Sequence, residues 1–213
     1  MKAILIYSGG LDSTTLLYEY RESIALAVSF DYGSKHNARE LSYASENCAR
    51  LGIRHLIIPL SFIQQYFRSD LLLGKGDIPE GSYEDENMRS TVVPFRNGIM
   101  LAVAAGLAES YDLDTVLIAN HGGDHAIYPD CRPEFIDAFD KASSTGTYNG
   151  VRILSPYCNI TKRDIALRGK AMGIDYSLTY SCYKGGEKHC GRCGTCTERK
   201  EALEGFDTTE YEA

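Results

Sequence analysis

The sequence predicts an α/β fold of Rossmann-like type, in which a parallel five-stranded sheet carries helices on both faces and a small region follows at the C-terminus. Three observations support this prediction. Short apolar runs alternate with helical patterns along most of the chain. A glycine-rich turn joins the first apolar run to the first helix, and four cysteines crowd together near the C-terminus.

The apolar runs are the predicted strands of the sheet. Each is short, and most are rich in Ile, Val and Leu, which is typical of strands that are buried on both faces of a parallel sheet. They cover residues 3–7, 24–30, 56–60, 115–119 and 151–154. Helices between these runs would cover the two faces of the sheet.

The segments between the runs carry helical spacing with recognisable ends. Helices are predicted over residues 13–20, 35–51, 96–111 and 133–143. Gly52 supplies the left-handed conformation that ends the second of these helices. Thr161 and Asp164 form a capping-box pattern that begins a further helix, and Gly173 ends it. Residues 66–92 are predicted to form a long loop, and a loop of that length more often serves function than not.

Length and charge limit the organisation of the chain. A chain of 213 residues has room for one well-buried core and a small appendage. We predict a main α/β domain over residues 1–175, a cysteine-rich segment packed on it over 176–205, and a flexible tail over 206–213. The formal net charge of -7 opposes stable binding to nucleic acid or to acidic membranes. We find no signal-peptide core and no run that approaches a membrane span, so a cytoplasmic location is expected.

The turn after the first run, residues 8–13 with the sequence SGGLDS, has the features of a phosphate-binding loop. Its glycines allow a tight turn that exposes backbone N–H groups, and the hydroxyl groups of Ser8 and Ser13 add donors. The helix that follows contributes about half a positive charge at its N-terminus. The loop lacks the lysine of a Walker A loop and the third glycine of a dinucleotide fingerprint. The alternative is a glycine turn in which Asp12 or Ser13 only caps the helix.

The clustered cysteines have the spacing of a metal site. Cys182, Cys190, Cys193 and Cys196 form the pattern C-x7-C-x2-C-x2-C, and the two-residue gaps let the sulfur atoms converge on one ion. We predict that four thiolates hold Zn²⁺ in a tetrahedron. The alternatives are an iron–sulfur cluster and a redox-active dithiol. His189 lies within the pattern, but four thiolates complete the site without it.

Several motifs resemble known families. The sequence SGGLDS resembles the pyrophosphate loop of the ATP pyrophosphatases, which cleave ATP between the α and β phosphates and transfer AMP to a substrate oxygen. The chain as a whole resembles one family of this group, the 7-cyano-7-deazaguanine synthases (QueC/ExsB), whose fold is adenine nucleotide alpha hydrolase-like. The matching stretches occur in the family's order and are SGGLDS at 8–13, DYG with a histidine at 31–36, VP and RN at 93–97, YPDCRPEF at 128–135, and SCY leading into the cysteine pattern at 181–196.

The chain departs from the family's pattern in three places. Ser34 and Lys35 stand where the family usually has Gln and Arg, and Phe95 replaces a usual Gly. The segment HGGDHAI at 121–127 replaces one close to VNAVDYSG, of which Asp124 alone clearly fits. These departures leave open a divergent branch with an altered substrate or biological context, such as base modification of viral DNA.

The resemblance implies a reaction and its cofactors. The substrates would be 7-carboxy-7-deazaguanine and ammonia, and the product would be the nitrile 7-cyano-7-deazaguanine (preQ0), used in queuosine or deazaguanine biosynthesis. Two oxygen atoms must leave the carboxylate, so ATP would be used twice, first to activate the acid and then to activate the amide. The implied cofactors are ATP, Mg²⁺ and Zn²⁺, and the implied assembly is a homodimer.

The residues expected to carry this reaction fall into three groups. Nucleotide binding is expected in the loop and in the helix after the last strand, at Ser8, Gly9, Gly10, Leu11, Asp12, Ser13, Thr14 and Lys162. Binding of the deazaguanine substrate is expected at Tyr32, Arg96, Asn97, Asp124, Asp130 and Arg132. Catalysis is assigned to Asp12, Ser13 and Arg96 through positioning and charge stabilisation. Asp12 would hold Mg²⁺ or cap the helix, with capping slightly favoured, and Cys131 is expected to line the pocket.

Two other functions fit parts of the sequence. A tRNA thiolase or lysidine-type ligase shares the phosphate loop, and in a thiolase Cys131 would be the nucleophile. A zinc-knuckle module that binds nucleic acid would use the basic residues around Cys190. The net charge of -7 and the lack of residues for an RNA-binding domain argue against the first of these functions.

Overall fold

A computed structural model of the chain describes residues 1–81 and 86–212. The strands are β1 (Ala3–Ile6), β2 (Ile24–Asp31), β3 (His55–Pro59), β4 (Thr115–Leu117) and β5 (Arg152–Leu154). The helices are α1 (Leu11–Glu19), α2 (Asn37–Leu51), α3 (Ser61–Tyr66), α4 (Arg96–Ser110), α5 (Pro133–Gly146), α6 (Lys162–Ala171) and α7 (Gly194–Ala202). Short 3-10 helices cover Glu86–Thr91, Gly122–Ala126, Pro129–Cys131 and Tyr176–Leu178.

The five strands are all parallel and lie in the order β3-β2-β1-β4-β5. The predicted Rossmann-like α/β fold is therefore confirmed, and every strand begins and ends within two residues of its predicted position. The chain leaves β1 toward one side of the sheet and later returns to the other side at β4. The loops after β1 and β4 consequently diverge, and the crevice between them is where open α/β sheets bind ligands.

Apolar side chains of β1 point alternately to the two faces of the sheet, so both faces are buried. On one face, Ile4 belongs to a cluster that includes Leu101 of α4. On the other face, Leu5 packs in a cluster with Leu16 of α1 and Ile165 of α6. Full burial of one such side chain contributes about 1.5–3 kcal/mol to folding. The two clusters make the sheet a rigid support for the loops at the carboxyl ends of its strands.

The ends of two helices follow their sequence signals. At the start of α6, Thr161 Oγ1 accepts the backbone N–H of Asp164 at 3.1 Å, and Asp164 Oδ2 accepts the backbone N–H of Thr161 at 3.0 Å. Gly52 ends α2 with a left-handed φ of 67°, and Gly173 follows α6 with a φ of 74°. These residues place Lys162 in the first turn of α6, at the edge of the crevice.

The start of α1 differs from the prediction. The helix begins at Leu11, its N-cap residue is Gly10, and no side chain accepts a hydrogen bond there. The expectation that Asp12 caps α1 is therefore wrong, because Asp12 already lies in the first turn of the helix. Its carboxylate is left available for contacts across the crevice.

The C-terminal part of the chain has more regular structure than the sequence indicated. Helix α7 follows Cys193 directly, and neither α7 nor α3 was predicted. In the segment after α7, Tyr211 donates a hydrogen bond to Asp207 Oδ2 at 2.7 Å, and Thr209 Oγ1 accepts one from Arg199 Nε at 2.8 Å. The division at 175 and 205, with a flexible tail after it, stays a prediction. The long predicted loop at 66–92 falls partly outside the described residues.

Among the described residues, one stretch has the length and composition of a membrane span. It is Met88–Ser110, with a mean hydropathy of 1.4, and it corrects the prediction that no run approaches a span. Half of the stretch is buried inside the protein, and its helical part, α4, packs against the sheet. Its composition is thus also that of a core helix.

Candidate active site

A cleft of about 210 Å³ opens at the carboxyl ends of β1 and β4. It brings together most of the residues that the sequence predicted to bind nucleotide or substrate. These are Ser8, Gly10, Leu11, Asp12, Ser13, Tyr32, Arg96, Asn97, Asp124 and Lys162. The two groups had been assigned to different ligands, and the fold places them on the walls of one cavity.

The phosphate loop has a backbone shape that requires glycine. Gly9 has a left-handed φ of 85°, and a Cβ atom there would lie 2.5 Å from the backbone oxygen of Glu40 in α2. The backbone oxygen of Gly9 accepts the N–H of Tyr180 at 3.1 Å, so the loop is held between α2 and the C-terminal segment. The hydroxyl oxygens of Ser8 and Ser13 lie 3.0 Å apart at the start of α1. The loop, these hydroxyl groups and the helix N-terminus together form a cradle for an anion.

Four residues predicted to contact ligand are not among those that line the cleft, namely Gly9 of the phosphate loop, Thr14, Asp130 and Arg132. Thr14 is buried, and its hydroxyl oxygen lies 3.1 Å from that of Tyr7. Asp130 is also buried, and its Oδ2 atom accepts the backbone N–H of Asn97 at 2.8 Å. Arg132 donates from Nε to a backbone oxygen of the preceding loop at 2.9 Å. Asp130 therefore orients the start of α4, from which Asn97 reaches the cleft.

The end of the cleft next to the phosphate loop carries a dense set of charges. Lys162 Nζ lies 3.2 Å from Asp12 Oδ2 and 2.8 Å from Glu198 Oε2. His121 Nε2 lies 3.9 Å from Asp12 Oδ2 and 3.7 Å from a carboxylate oxygen of both Asp124 and Glu198. Burial opposes the charge on Lys162, but the neighbouring carboxylates outweigh it and raise the pKa of Lys162 above its ordinary value. We call these five side chains the paired end.

Sequence reasoning missed two members of the paired end. His121 lay in the segment HGGDHAI, which was noted only as a departure from a family pattern. Its Nδ1 atom accepts the N–H of Gly123 at 3.1 Å, and its Nε2 atom faces the carboxylates. Glu198 comes two residues after Cys196 on α7. This closeness to a predicted metal ligand could have drawn attention to Glu198, because a metal site that fixes Cys196 also fixes its neighbours on the helix.

A second part of the cleft wall carries aromatic rings, which belong to Tyr32, His36 and Tyr183. Arg96 Nη1 donates to the hydroxyl oxygen of Tyr32 at 3.1 Å, and the guanidinium carbon lies 5.6 Å from the centre of the Tyr32 ring. His36 stacks on Tyr183 with 5.2 Å between the ring centres. Glu40 Oε2 lies 3.5 Å from His36 Nε2. We call Tyr32, His36, Glu40 and Arg96 the buried end.

Protonation at the buried end follows from burial. Burial lowers the pKa of His36 to about 3, and the charge of Arg96 adds to this effect. Burial also raises the pKa of Glu40 to about 8, and Arg96 only partly opposes the rise. Nδ1 of His36 has no hydrogen-bond partner in the described part of the chain. Sequence reasoning noted His36 but missed Glu40, although the two residues are one helical turn apart.

Cys131 lines the cleft, as predicted, and it is held as a thiol. Burial raises the pKa of the Cys131 thiol well above its ordinary value, with Asp124 and Asp130 adding to the rise. Asn97 Nδ2 donates a hydrogen bond to its sulfur at 3.1 Å. A nucleophilic cysteine instead requires surroundings that favour the thiolate.

The four cysteines near the C-terminus form one buried cluster. The sulfur atoms that lie within 4.8 Å of one another are those of Cys182, Cys190, Cys193 and Cys196. Backbone N–H groups point at this cluster, since Cys190 N donates to Cys182 Sγ and Cys193 N to Cys190 Sγ, both at 3.3 Å. His189 Nε2 instead accepts the N–H of Ser181 at 3.1 Å. The cluster can hold a metal ion with four sulfur ligands.

The cysteine-rich segment also forms one wall of the cleft. Tyr180, Ser181, Tyr183 and Thr195 line the cavity beside the phosphate loop. Arg199 of α7 is fully buried and donates to the backbone oxygen of Tyr176 at 2.6 Å. The metal cluster and the cleft therefore share one small structural unit rather than lying apart.

Comparison with known proteins gives a consistent result over the whole chain. Residues 2–207 match the family model described as queuosine biosynthesis protein QueC. A 7-cyano-7-deazaguanine synthase from Porphyromonas gingivalis is 67% identical over 213 residues, which cover 99% of this chain and 97% of that protein. One from Desulfotalea psychrophila is 54% identical over 214 residues, which cover 98% of each chain.

Solved structures resemble the chain in fold. The U34-tRNA thiolase NcsA from Methanococcus maripaludis with its 4Fe-4S cluster aligns with a TM-score of 0.54 at 13% identity, over 100% of this chain and 74% of that one. NMN synthetase from Francisella tularensis aligns with a TM-score of 0.53 at 14% identity, over 98% of this chain and 79% of that one. At such low identity these two likenesses show the fold alone. The family match and the high identity to full-length relatives show more, and this chain belongs to the QueC family of queuosine biosynthesis proteins.

Proposed function

We propose that this chain is an ATP-dependent carbon–nitrogen ligase that converts 7-carboxy-7-deazaguanine and ammonia to 7-cyano-7-deazaguanine. Its curated relatives carry the name of that synthase at up to 67% identity over nearly their full length. The observation that carries the proposal is the single cleft in which the phosphate loop faces Tyr32, Arg96 and Asn97. Transfer of AMP to a carboxylate requires both substrates to meet in such a cavity.

The phosphate loop and the paired end would hold ATP with Mg²⁺. The loop, the N-terminus of α1 and the hydroxyl groups of Ser8 and Ser13 would bind the pyrophosphate part. Oδ1 of Asp12 is buried and has no hydrogen-bond partner among the described residues, and a carboxylate oxygen is a ligand that Mg²⁺ prefers. The paired end carries more carboxylates than cations, so bound Mg²⁺ would offset the charge that a triphosphate meets there.

The buried end and the start of α4 would bind the deazaguanine acid. Arg96 is the cation that would attract the substrate carboxylate, and the N-terminus of α4 adds to the same field. Asp124 lines the cleft, and although its Oδ2 accepts the backbone N–H of His121 at 3.1 Å, its carboxylate has further acceptor sites for N–H groups of the base edge. Asp130 would serve indirectly, because its carboxylate already accepts the N–H of Asn97.

The cysteine cluster would hold Zn²⁺ as a structural ion. Its sulfur atoms lie close together, are buried and receive backbone N–H groups, which fits a closed site with four thiolates. The ion would fix the segment that supplies one wall of the cleft. Its contribution to catalysis would therefore pass through the position of α7 and of Glu198.

The test is a direct assay of the products. The protein is incubated with ATP, Mg²⁺, ammonium and 7-carboxy-7-deazaguanine, and the amide and nitrile are followed by mass spectrometry together with AMP. We expect the amide to appear first, the nitrile to follow, and one AMP to be released for each activation. Amide without nitrile would indicate an amide-forming relative, and absence of substrate-dependent AMP would contradict the proposal.

We further propose a homodimer in the cytoplasm that takes ammonia as a substrate and binds no nucleic acid stably. The net charge of -7 disfavours a polyanion partner. The raised pKa of Cys131 also argues against the sulfur chemistry of a tRNA thiolase. Light scattering coupled to gel filtration tests the dimer, and Cys131→Ala tests the thiolase alternative, since turnover should survive this substitution.

A further inference from the structure

The proposed function, on which this inference rests, requires nitrogen-bound protons to leave at two stages. When ammonia attacks the acyl adenylate, its lone pair forms the C–N bond, the C–O bond breaks with its electrons going to AMP, and one proton leaves nitrogen. In the second round the amide nitrogen loses both protons, and the freed N–H electron pairs build the C≡N bond while the last C–O bond breaks toward AMP. A base beside the reacting carbon would accept these protons.

Most of the titratable groups in the cleft are poorly suited to this task. Asp12 and Glu198 are engaged with Lys162 at 3.2 and 2.8 Å, and Asp124 Oδ2 already accepts the backbone N–H of His121 at 3.1 Å. Carboxylate oxygens that are held in this way are less available to accept a proton from the substrate. The ring of His36 is a weak base, because burial lowers its pKa to about 3.

Glu40 differs from these groups in position and surroundings. It lies in the first turn of α2, its side chain is 15% exposed, and it lines the cleft together with Ser8 and Arg96. Its backbone oxygen is the atom that a side chain at Gly9 would strike, so Glu40 lies directly beside the phosphate loop. Its carboxylate oxygen Oε2 lies 3.5 Å from Nε2 of His36.

The protonation of Glu40 suits a group that takes up and releases protons. Burial raises its pKa to about 8, so both its acid and its base form are populated near neutral pH. Arg96 limits this rise, and the neutral ring of His36 does not fix the carboxyl group as an ion. A carboxyl group in its acid form also avoids repelling the phosphates that the neighbouring loop would bind.

We propose that Glu40 is the catalytic base that accepts nitrogen-bound protons in both C–N bond-forming stages, and that His36 orients its carboxyl group. Glu40 accepts the proton that leaves nitrogen during attack on the adenylate. After that proton passes to solvent, Glu40 accepts the first of the two protons of the activated amide and releases it to solvent, and it accepts the second as AMP departs. It takes no part in the attack of the substrate carboxylate on ATP, in which no proton leaves nitrogen.

The test separates activation of the acid from C–N bond formation. Glu40→Gln keeps the size of the side chain and removes the base, and Glu46→Gln, on an exposed position of the same helix, is the matched control. Labelled pyrophosphate exchange into ATP, measured with 7-carboxy-7-deazaguanine and without ammonium, reports adenylation. We expect exchange to stay within about threefold of the unmodified enzyme and amide formation from ammonium to fall about 100-fold or more in Glu40→Gln.

Hydroxylamine gives a second readout that a structural role would not produce. It is mostly neutral near neutral pH and a stronger nucleophile than ammonia, so its attack depends less on a protein base. Glu40→Gln should therefore still form the hydroxamate at a rate close to that of Glu46→Gln. If Glu40→Gln does not fold, Glu40→Asp should show the same selective loss of amide formation to a smaller degree, because its carboxylate is withdrawn by one methylene group.

Two other results would overturn the role proposed for Glu40, and a third would contradict the proposed function instead. Amide and nitrile formation by Glu40→Gln at the rate of the control would show that Glu40 is not the base. Loss of pyrophosphate exchange together with amide formation, in a folded variant, would show that Glu40 serves substrate binding instead. Failure of the unmodified enzyme to make any nitrile would instead contradict the proposed function.

Discussion

The two ends of the cleft hold their ionisable groups in opposite ways. At the paired end, Lys162 has carboxylate oxygens of Asp12 and Glu198 within 3.2 Å. At the buried end, Glu40 Oε2 lies 3.5 Å from the neutral ring of His36, and the charge of Arg96 only partly opposes the rise in the pKa of Glu40. Burial acts against the charged form at both ends, but the carboxylates outweigh it at Lys162, whereas Arg96 only partly opposes it at Glu40.

This difference divides the work between the ends. A buried charge persists when an opposite charge lies beside it, and it is lost when none does. The pKa of Lys162 is raised, so it stays charged, whereas the pKa of Glu40 rises to about 8, so it exchanges a proton near neutral pH. In the proposed function, the paired end would hold phosphate and metal charge in place and the buried end would move protons.

The largest effect on the paired end is expected from loss of the metal, because α7, which follows the cysteine cluster, carries Glu198 into the paired end. We expect Cys193→Ser to lose bound zinc and to lower the rate of nitrile formation roughly 100-fold or more, since metal binding supplies folding free energy to such segments. Zinc content by atomic emission and product formation would be measured together. Cys48→Ser, which alters a buried cysteine of α2, should retain its zinc. A Cys193→Ser enzyme that stays active without metal would contradict the dependence of the paired end on α7.

The next largest loss of activity is expected when the cation of the paired end, Lys162, is removed. Lys162→Met leaves Asp12 and Glu198 facing each other with no lysine between them, and breaking a buried ion pair in this way costs about 3–5 kcal/mol. We expect kcat/KM for ATP to fall about 100-fold and the free energy of unfolding to fall by a few kcal/mol. Urea unfolding and initial rates would check both.

Lys170 supplies the control for that measurement, since it is an exposed lysine near the end of the same helix. Lys170→Met should leave both quantities close to those of the unmodified enzyme. Equal effects of the two substitutions would mean that the position of Lys162 between two carboxylates has no special value for ATP.

A feature could be predicted from the sequence when the residues that form it lie close together along the chain. The phosphate loop, the capping box at Thr161 and the cysteine cluster are local patterns whose members lie within fifteen residues, and the structure contains each of them. Lys162 and Glu198 are 36 residues apart, and their pairing depends on how α7 packs on α6. No local pattern carries that information, so the paired end was predicted only in part. The role of Asp12 was misjudged for the same reason, because its contacts lie across the crevice.

A smaller effect is expected when Glu198 loses its charge but keeps its shape. In Glu198→Gln, Lys162 would keep Asp12 as its one carboxylate partner and would lie closer to it. We expect KM for ATP to rise about tenfold, with zinc content and KM for the deazaguanine acid unchanged. Glu201→Gln, on an exposed position of α7, is the control and should match the unmodified enzyme.

A double substitution tests whether Glu198 acts through Lys162. If it does, adding Glu198→Gln to Lys162→Met should change the affinity for ATP little further, because the pair is already broken. Additive losses would show that Glu198 works independently of Lys162, and the paired end would then be a set of separate charges.

The smallest effect concerns the backbone that presents Arg96 to the buried end. Phe95 has a left-handed backbone with φ 54° and ψ 27°, which is unfavourable for a residue with a Cβ atom. Its ring makes an edge-to-face contact with Phe135, with 5.6 Å between the ring centres. Both Phe95→Ala and Phe95→Gly lose that contact, but only alanine keeps a Cβ atom in the left-handed region. We expect Phe95→Gly to be about 1 kcal/mol more stable than Phe95→Ala in urea unfolding, despite its smaller side chain. A more stable alanine variant would mean that the start of α4 leaves the left-handed conformation once the ring is gone, and that the ring, rather than the fold around it, fixes the backbone before Arg96.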